Sequence, residues 1–183
     1  PGIRACFEVY EEAKKKGLRV IDAPCPIVKK AQHCAQQLIE EGYDLVIVGE
    51  RKHPEVEGIV AYARNHALIV EQPSDLDNFP HNKRVGVIVQ TTQPFEKLLL
   101  VVNKLLPISK EVKIFNTICD ATTARQEAAR KLSKEVDVMV VVGGKNSANT
   151  TRLAEICRAE NTTTYHVETA EEIDPKWFSN SAT

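Results

Sequence analysis

Asp44-Leu45-Val46-Ile47-Val48-Gly49 is the stretch that decides the fold class. Residues 45–48 are apolar without a break, so the run has no side to turn toward water. Gly42 stands before it, where a helix should stop, and Pro54 after it, where the next should begin. A short strand buried on both faces and flanked by helices belongs in a parallel sheet covered on both sides.

Working outward, the same alternation recurs along the chain. Strands are expected at residues 18–21, 44–48, 67–70, 85–89, 112–115, 138–142 and 163–167. Helices are expected at 6–16, 28–41, 55–64, 94–106, 124–134 and 149–160. The fold class is therefore α/β, in small three-layer modules with mostly parallel sheets.

An internal repeat supports the modular reading. When Cys25 is laid on Cys119, Gln32 meets Gln126, Ala35 meets Ala129, Leu38 meets Leu132 and Val48-Gly49 meets Val142-Gly143. The shared order is strand, cysteine, helix, strand, glycine-containing loop, helix. It divides the chain into the end of a partial first module (1–24), a second module (25–115) and a third (116–183).

Composition narrows the classes. The 183 residues are 43% hydrophobic and 27% charged, with a net charge of −1, which is too apolar and too neutral for a disordered chain. Balanced charge argues against nucleic acid or an anionic membrane surface as partner. The longest apolar runs, 98–102 and 138–142, fall far below the ~20 residues of a membrane span. Arg4 and Glu8 interrupt the opening residues, so no signal peptide is expected there. Five cysteines, an odd number, do not form a disulfide framework, and a reducing, cytoplasmic setting is expected. The chain opens with Pro1 rather than Met, which suggests a piece of something longer.

In open parallel sheets, ligands bind beyond the carboxyl ends of the strands. Five polar groups fall at such ends: Cys25, the loop from Gly49 to Glu55, Gln90-Thr91-Thr92, Cys119, and the loop from Gly143 to Asn149. They would share one edge and could converge on one site. Cys34 and Cys157 lie inside helical patterns as packing residues, and Cys6 near a helix start is read the same way. Cys25 and Cys119 occupy the same slot in both repeats. They are either core thiols inherited by duplication or metal thiolates, one from each module. Two thiolates alone do not close a zinc or iron–sulfur site.

His53-Pro54-Glu55 and Ser147-Ala148-Asn149 correspond under the repeat, each at a helix start where unpaired N–H groups suit a phosphate. Ser147 and Asn149 would serve equally as helix caps, His53 as a loop histidine, and Glu55 as a first-turn carboxylate. Thr91 and Thr92 would serve as an ordinary strand-to-helix turn. His33, His66 and His81 have no partner pattern and are placed at the surface.

Five motifs occur in order: Ala23-Pro24-Cys25-Pro26; His53-Pro54-Glu55-Val56-Glu57-Gly58; Gln90-Thr91-Thr92; Thr117-Ile118-Cys119-Asp120-Ala121-Thr122 with Arg125-Gln126; and Val142-Gly143-Gly144-Lys145-Asn146-Ser147. Together they resemble the LytB family, the 4-hydroxy-3-methylbut-2-enyl diphosphate reductases. The resemblance implies three α/β modules in pseudo-threefold arrangement around a 4Fe–4S cluster held by three cysteines, one iron lacking a protein ligand. It implies reductive removal of an allylic hydroxyl from a diphosphate substrate, giving isopentenyl and dimethylallyl diphosphate. Ferredoxin or flavodoxin would donate the electrons.

Carried over by position, Cys25 and Cys119 are cluster ligands. Glu55 is the proton source, and Thr91 a substrate-binding relay. His53, Ser147 and Asn149 hold the diphosphate. The family's first cysteine falls upstream of residue 1, and its Ser-His-Gly is replaced by the opening Pro1-Gly2. An Ala-Gly-Ala-Ser segment is expected about where Thr183 ends, and a Ser-Ser-Asn reads here Ser147-Ala148-Asn149. The chain alone is therefore expected to lack activity. The rival readings are a phosphate-ligand-binding α/β protein without a cluster and a cluster-less interaction module.

Overall fold

Parallel pairing accounts for the apolar runs. In this computed structural model, which describes residues 12–21, 25–160 and 163–178, the chain divides into two units, Pro1–Ile118 and Cys119–Thr183. The first unit holds α1 (Pro26–Glu40), β1 (Asp44–Val48), α2 (Pro54–Tyr62), β2 (Ala67–Val70), β3 (Arg84–Val89), α3 (Phe95–Leu105) and β4 (Glu111–Phe115). Its four strands form one parallel sheet in the order β2-β1-β3-β4.

Alternate side chains of β1 enter opposite cores. Leu45 and Ile47 pack with Ile88 under α1 and α2, against Ala31, Ala35, Leu38, Val56 and Ile59. Val46 and Val48 pack with Val85, Val87 and Val89 under α3, against Leu98, Val101 and Leu105. At ~25 cal/mol per Å2 of apolar surface, these two layers are the main source of the unit's stability. α1 ends where the chain must turn: Gly42 takes φ +77°, which an L side chain rarely adopts.

The second unit holds α4 (Asp120–Ser133), β5 (Val138–Val142), α5 (Ala148–Ala159) and β6 (Thr163–Val167). β5 and β6 pair in parallel as a two-stranded sheet. Met139, Ala154, Ile156, Cys157 and Val167 are its buried apolar residues, and Tyr165 stacks on Trp177 with ring centroids 3.7 Å apart.

One expected strand is absent. Residues 18–21 carry no strand, and Leu18, Val20 and Ile21 are exposed. A strand exists only by pairing, and no described strand runs beside these residues. Of the helix expected at 6–16, residues 12–15 are helical; Cys6, like Ala23-Pro24, lies outside the described residues. Among the described residues, no helix is long and apolar enough to cross a membrane.

Candidate functional site

The loops after β1 and β3 part company. The first leads to α2 on one face of the sheet, the second to α3 on the other, although β1 and β3 are neighbours. Such a divergence opens a crevice at the carboxyl ends of the two strands, the place where open α/β sheets bind ligands.

Glu55 sits in the first turn of α2 at this crevice and is 3% exposed. Both of its carboxylate oxygens are engaged by one residue of the other loop. The Thr91 N–H donates to Oε1 at 2.7 Å, and the Thr91 hydroxyl donates to Oε2 at 2.8 Å. Burial pushes the Glu55 carboxyl above its ordinary value; the two bonds from Thr91 and the charge of His53 pull it down without offsetting that burial. Thr91, itself 6% exposed, lies in a β-turn closed by the Gln93 N–H donating to the Gln90 carbonyl at 3.0 Å. The turn expected there exists, and it presents two donors to a buried acid. Glu55 is more than a first-turn carboxylate.

His53 caps α2 rather than standing as a surface-loop residue. It is half-buried, and its Nδ1 accepts from the Glu55 N–H at 3.2 Å. In the neutral ring this leaves the proton on Nε2 as a free donor. The end of β3 is finished by a side chain. The Thr117 hydroxyl accepts from the Val89 N–H at 3.1 Å and donates to the Val89 carbonyl, standing in for the strand that stopped at Phe115.

Cys25 and Cys119 are the N-cap residues of α1 and α4, both free thiols without a side-chain cap bond. Cys25 is exposed and Cys119 half-buried. For Cys119, burial pushes the thiol up, but Thr122, the Ala121 N–H and the charge of Arg125 together outweigh it and hold the thiol below its ordinary value. Cys34 and Cys157 are buried within their helices, and burial pushes both thiols up. The two helix-start thiols are soft donors of the kind an iron–sulfur cluster takes, whereas the buried pair pack within their helices. Among the described residues no three His, Cys, Asp or Glu side chains gather as a metal site.

In the second unit, Ser147 is the N-cap of α5 and accepts from the Thr150 N–H at 3.4 Å. Its hydroxyl proton is not used by that bond. The Asn149 Oδ1 is buried without a hydrogen-bond partner. Gly143 takes φ +154° at the end of β5, and a Cβ there would stand 2.7 Å from the Thr150 hydroxyl oxygen. The structure thus brings Glu55, Thr91 and His53 together in one unit, and sets Cys119, Ser147 and Asn149 at helix starts of the other. His33, His66 and His81 are exposed, as expected. A cavity of about 520 Å3 lies at the opposite, amino ends of β1 and β2, lined by Tyr43, His66 and Phe79 among others, and holds none of Cys25, His53, Glu55 and Thr91.

Residues 5–183 match the family described as LytB protein. This chain belongs to the LytB family. It is 50% identical over 179 residues to the 4-hydroxy-3-methylbut-2-enyl diphosphate reductase of Pelobacter propionicus, covering 98% of this chain and 64% of that protein. The reductase of Geobacter metallireducens is 49% identical, with 96% of this chain and 62% of that protein covered. A solved (E)-4-hydroxy-3-methyl-but-2-enyl diphosphate reductase, the terminal enzyme of the non-mevalonate pathway, is 47% identical with a TM-score of 0.64 over 96% of this chain and 64% of that one. The E-1-hydroxy-2-methyl-but-2-enyl-4-diphosphate reductase of Plasmodium falciparum is 33% identical with a TM-score of 0.87, over 98% of this chain and 58% of that one. This LytB chain spans a little over 60% of the length of the curated relatives it matches.

Sequence reasoning passed over Gln90, Glu50, Gln93 and Thr117 as individual residues. The available signal was a polar residue closing an apolar strand, as Gln90 does after residues 85–89.

Proposed function

We propose that this chain carries the proton-delivering half of the active site of a 4-hydroxy-3-methylbut-2-enyl diphosphate reductase. The reaction takes two electrons and two protons, releases the allylic hydroxyl as water, and leaves isopentenyl or dimethylallyl diphosphate. The observation that carries the reading is the buried Glu55, both oxygens on Thr91, at the crevice between β1 and β3.

Burial keeps the Glu55 proton available closer to neutrality than an exposed carboxyl would. Thr91 lies one hydrogen bond away. A proton passed by its hydroxyl to the departing group is replaced from Glu55 Oε2, so the relay needs no water in the crevice. His53 Nε2–H, the Ser147 hydroxyl, the Asn149 amide and the free N–H groups at the start of α5 are donors for the diphosphate. Cys25 and Cys119 would hold a 4Fe–4S cluster together with a third thiolate from outside this chain. When bound, that cluster supplies the electrons, received singly from a ferredoxin or flavodoxin, and an iron without a protein ligand. In this reading the three modules divide at residues 24 and 115 around the cluster, the enzyme works in the reducing cytoplasm, and the chain alone does not turn over substrate.

The test uses the protein extended to the length of its relatives, prepared without oxygen and assayed with a chemical electron donor. Glu55→Gln should keep iron content and substrate affinity and lose ~10²–10⁴-fold in turnover, the range of a general acid. A loss below about tenfold would remove Glu55 from the role. A colourless, iron-free extended protein would overturn the reductase reading as a whole.

A further inference from the structure

The β1–α2 loop and the β3–α3 turn are joined twice, and only one of the joints is the Glu55–Thr91 pair. At the other, the Gln90 side chain is fully buried, and its Oε1 accepts from the Glu50 N–H at 2.9 Å. Its Nε2 donates to the Thr92 hydroxyl at 2.9 Å. The Gln93 amide, 6% exposed, donates to Gln90 Oε1 at 3.3 Å and to the Glu50 carboxylate at 3.2 Å. Two donors thus face the Gln90 oxygen and an acceptor faces its nitrogen, which leaves that buried amide a single orientation.

The geometry has a use. Residues 90–93 form the turn in which Thr91 stands, already closed once by backbone. Gln93 closes it a second time by side chain and ties it to Glu50, five residues before Glu55. The segment from Glu50 to Glu55, with His53 between them, is therefore held at both ends against one turn. Thr91 can reach both oxygens of Glu55 only while the turn keeps its twist and its distance from that segment. We propose that Gln93, acting through Gln90 and Glu50, is a positioning residue that holds Thr91 against Glu55 and His53 in place beside them. The inference rests on the proposed role of Glu55, and touches neither cluster nor substrate itself.

The test compares Gln93→Glu, which sets two carboxylates against each other, with Glu50→Gln/Gln93→Glu, which restores the amide–carboxylate pair in reverse but not the bond to Gln90 Oε1. Glu50→Ala, at an exposed position, removes the acceptor without disturbing the core. Amide hydrogen exchange in the 183-residue chain should speed about tenfold at Thr91 in both single variants, stay unchanged at Ile47 and Val87 in the sheet, and return part of the way to the wild-type rate in the double variant. In the extended protein, turnover should fall in Gln93→Glu with KM unchanged and recover in part in the double variant. Unchanged exchange at Thr91, equal acceleration at Ile47 and Val87, no recovery in the double variant, or faster exchange with undiminished turnover would each overturn the inference. An extended wild-type protein that turns over no substrate would overturn the reductase reading instead, while the exchange rates still decide the clasp.

Discussion

A carboxyl group out of water prefers its proton, and Glu55 illustrates the consequence for stability. The folded chain holds that proton more tightly than the unfolded chain, because burial raises the acid's value. Its contribution to stability is therefore complete below the ordinary glutamate value and is lost as pH rises through the raised one. Glu55→Gln cannot ionise, and its amide can accept from the Thr91 N–H and, with the Thr91 hydroxyl turned to accept, donate to it as a protonated acid would. The variant should match wild type in acid and exceed it by a margin that opens above the ordinary glutamate value and levels off above the raised one, read as urea midpoints at a series of pH values. A difference that does not vary with pH would mean that Glu55 is not held above its ordinary value. The position of Glu55 was legible in its motif; its burial was not. Thr91 lies far along the chain in another loop, and no local spacing shows that the two meet. His53 and Ser147 correspond in the repeat, and each caps its helix by accepting a backbone N–H, a role that residue type conveys for Ser147 and not for His53.

At the scale of elements, strands were easier to read than helices. From residue 44 onward the expected strands match within one residue, most of them because they are closed apolar runs and 163–167 because its residues are mainly β-branched and aromatic. Helix starts were placed late: α4 begins at Asp120 rather than 124, and α1 at Pro26 rather than 28. Both follow a cysteine, which is not a capping residue type and gives no start signal. The run at 18–21 has strand composition, yet pairing is a property of two segments, and one segment cannot announce it. Packing between elements leads to a further expectation. Gly86 of β3 lies beneath α1 so closely that a Cβ would stand 2.7 Å from a methyl carbon of Leu38. Gly86→Ala should destabilise the first unit by ~1–3 kcal/mol, measured by chemical denaturation, as overpacking does in tightly filled cores. An unchanged midpoint would show that Leu38 has room to turn away.

For the whole molecule, the two units are built to different depths. Among the described residues, the first has four strands with an apolar layer on each face, the second a two-stranded sheet in which Val142 is 66% exposed. Sheets of two strands are marginal without further cover. Calorimetry of this chain should show two transitions, the second unit melting first; one transition for all residues would contradict this. The unequal strand number of the two units was not legible in the repeat, since pairing partners are not written in a segment's own residues. The Tyr165–Trp177 stack bears on how this could be seen. Trp177 is the sole tryptophan of the chain, and it sits in the second unit against an aromatic ring that separates when the unit opens. Indole emission is thus a native optical label for one unit only, and its fading against an unchanged dichroism of the helices would time the loosening of the second unit while the first is still whole.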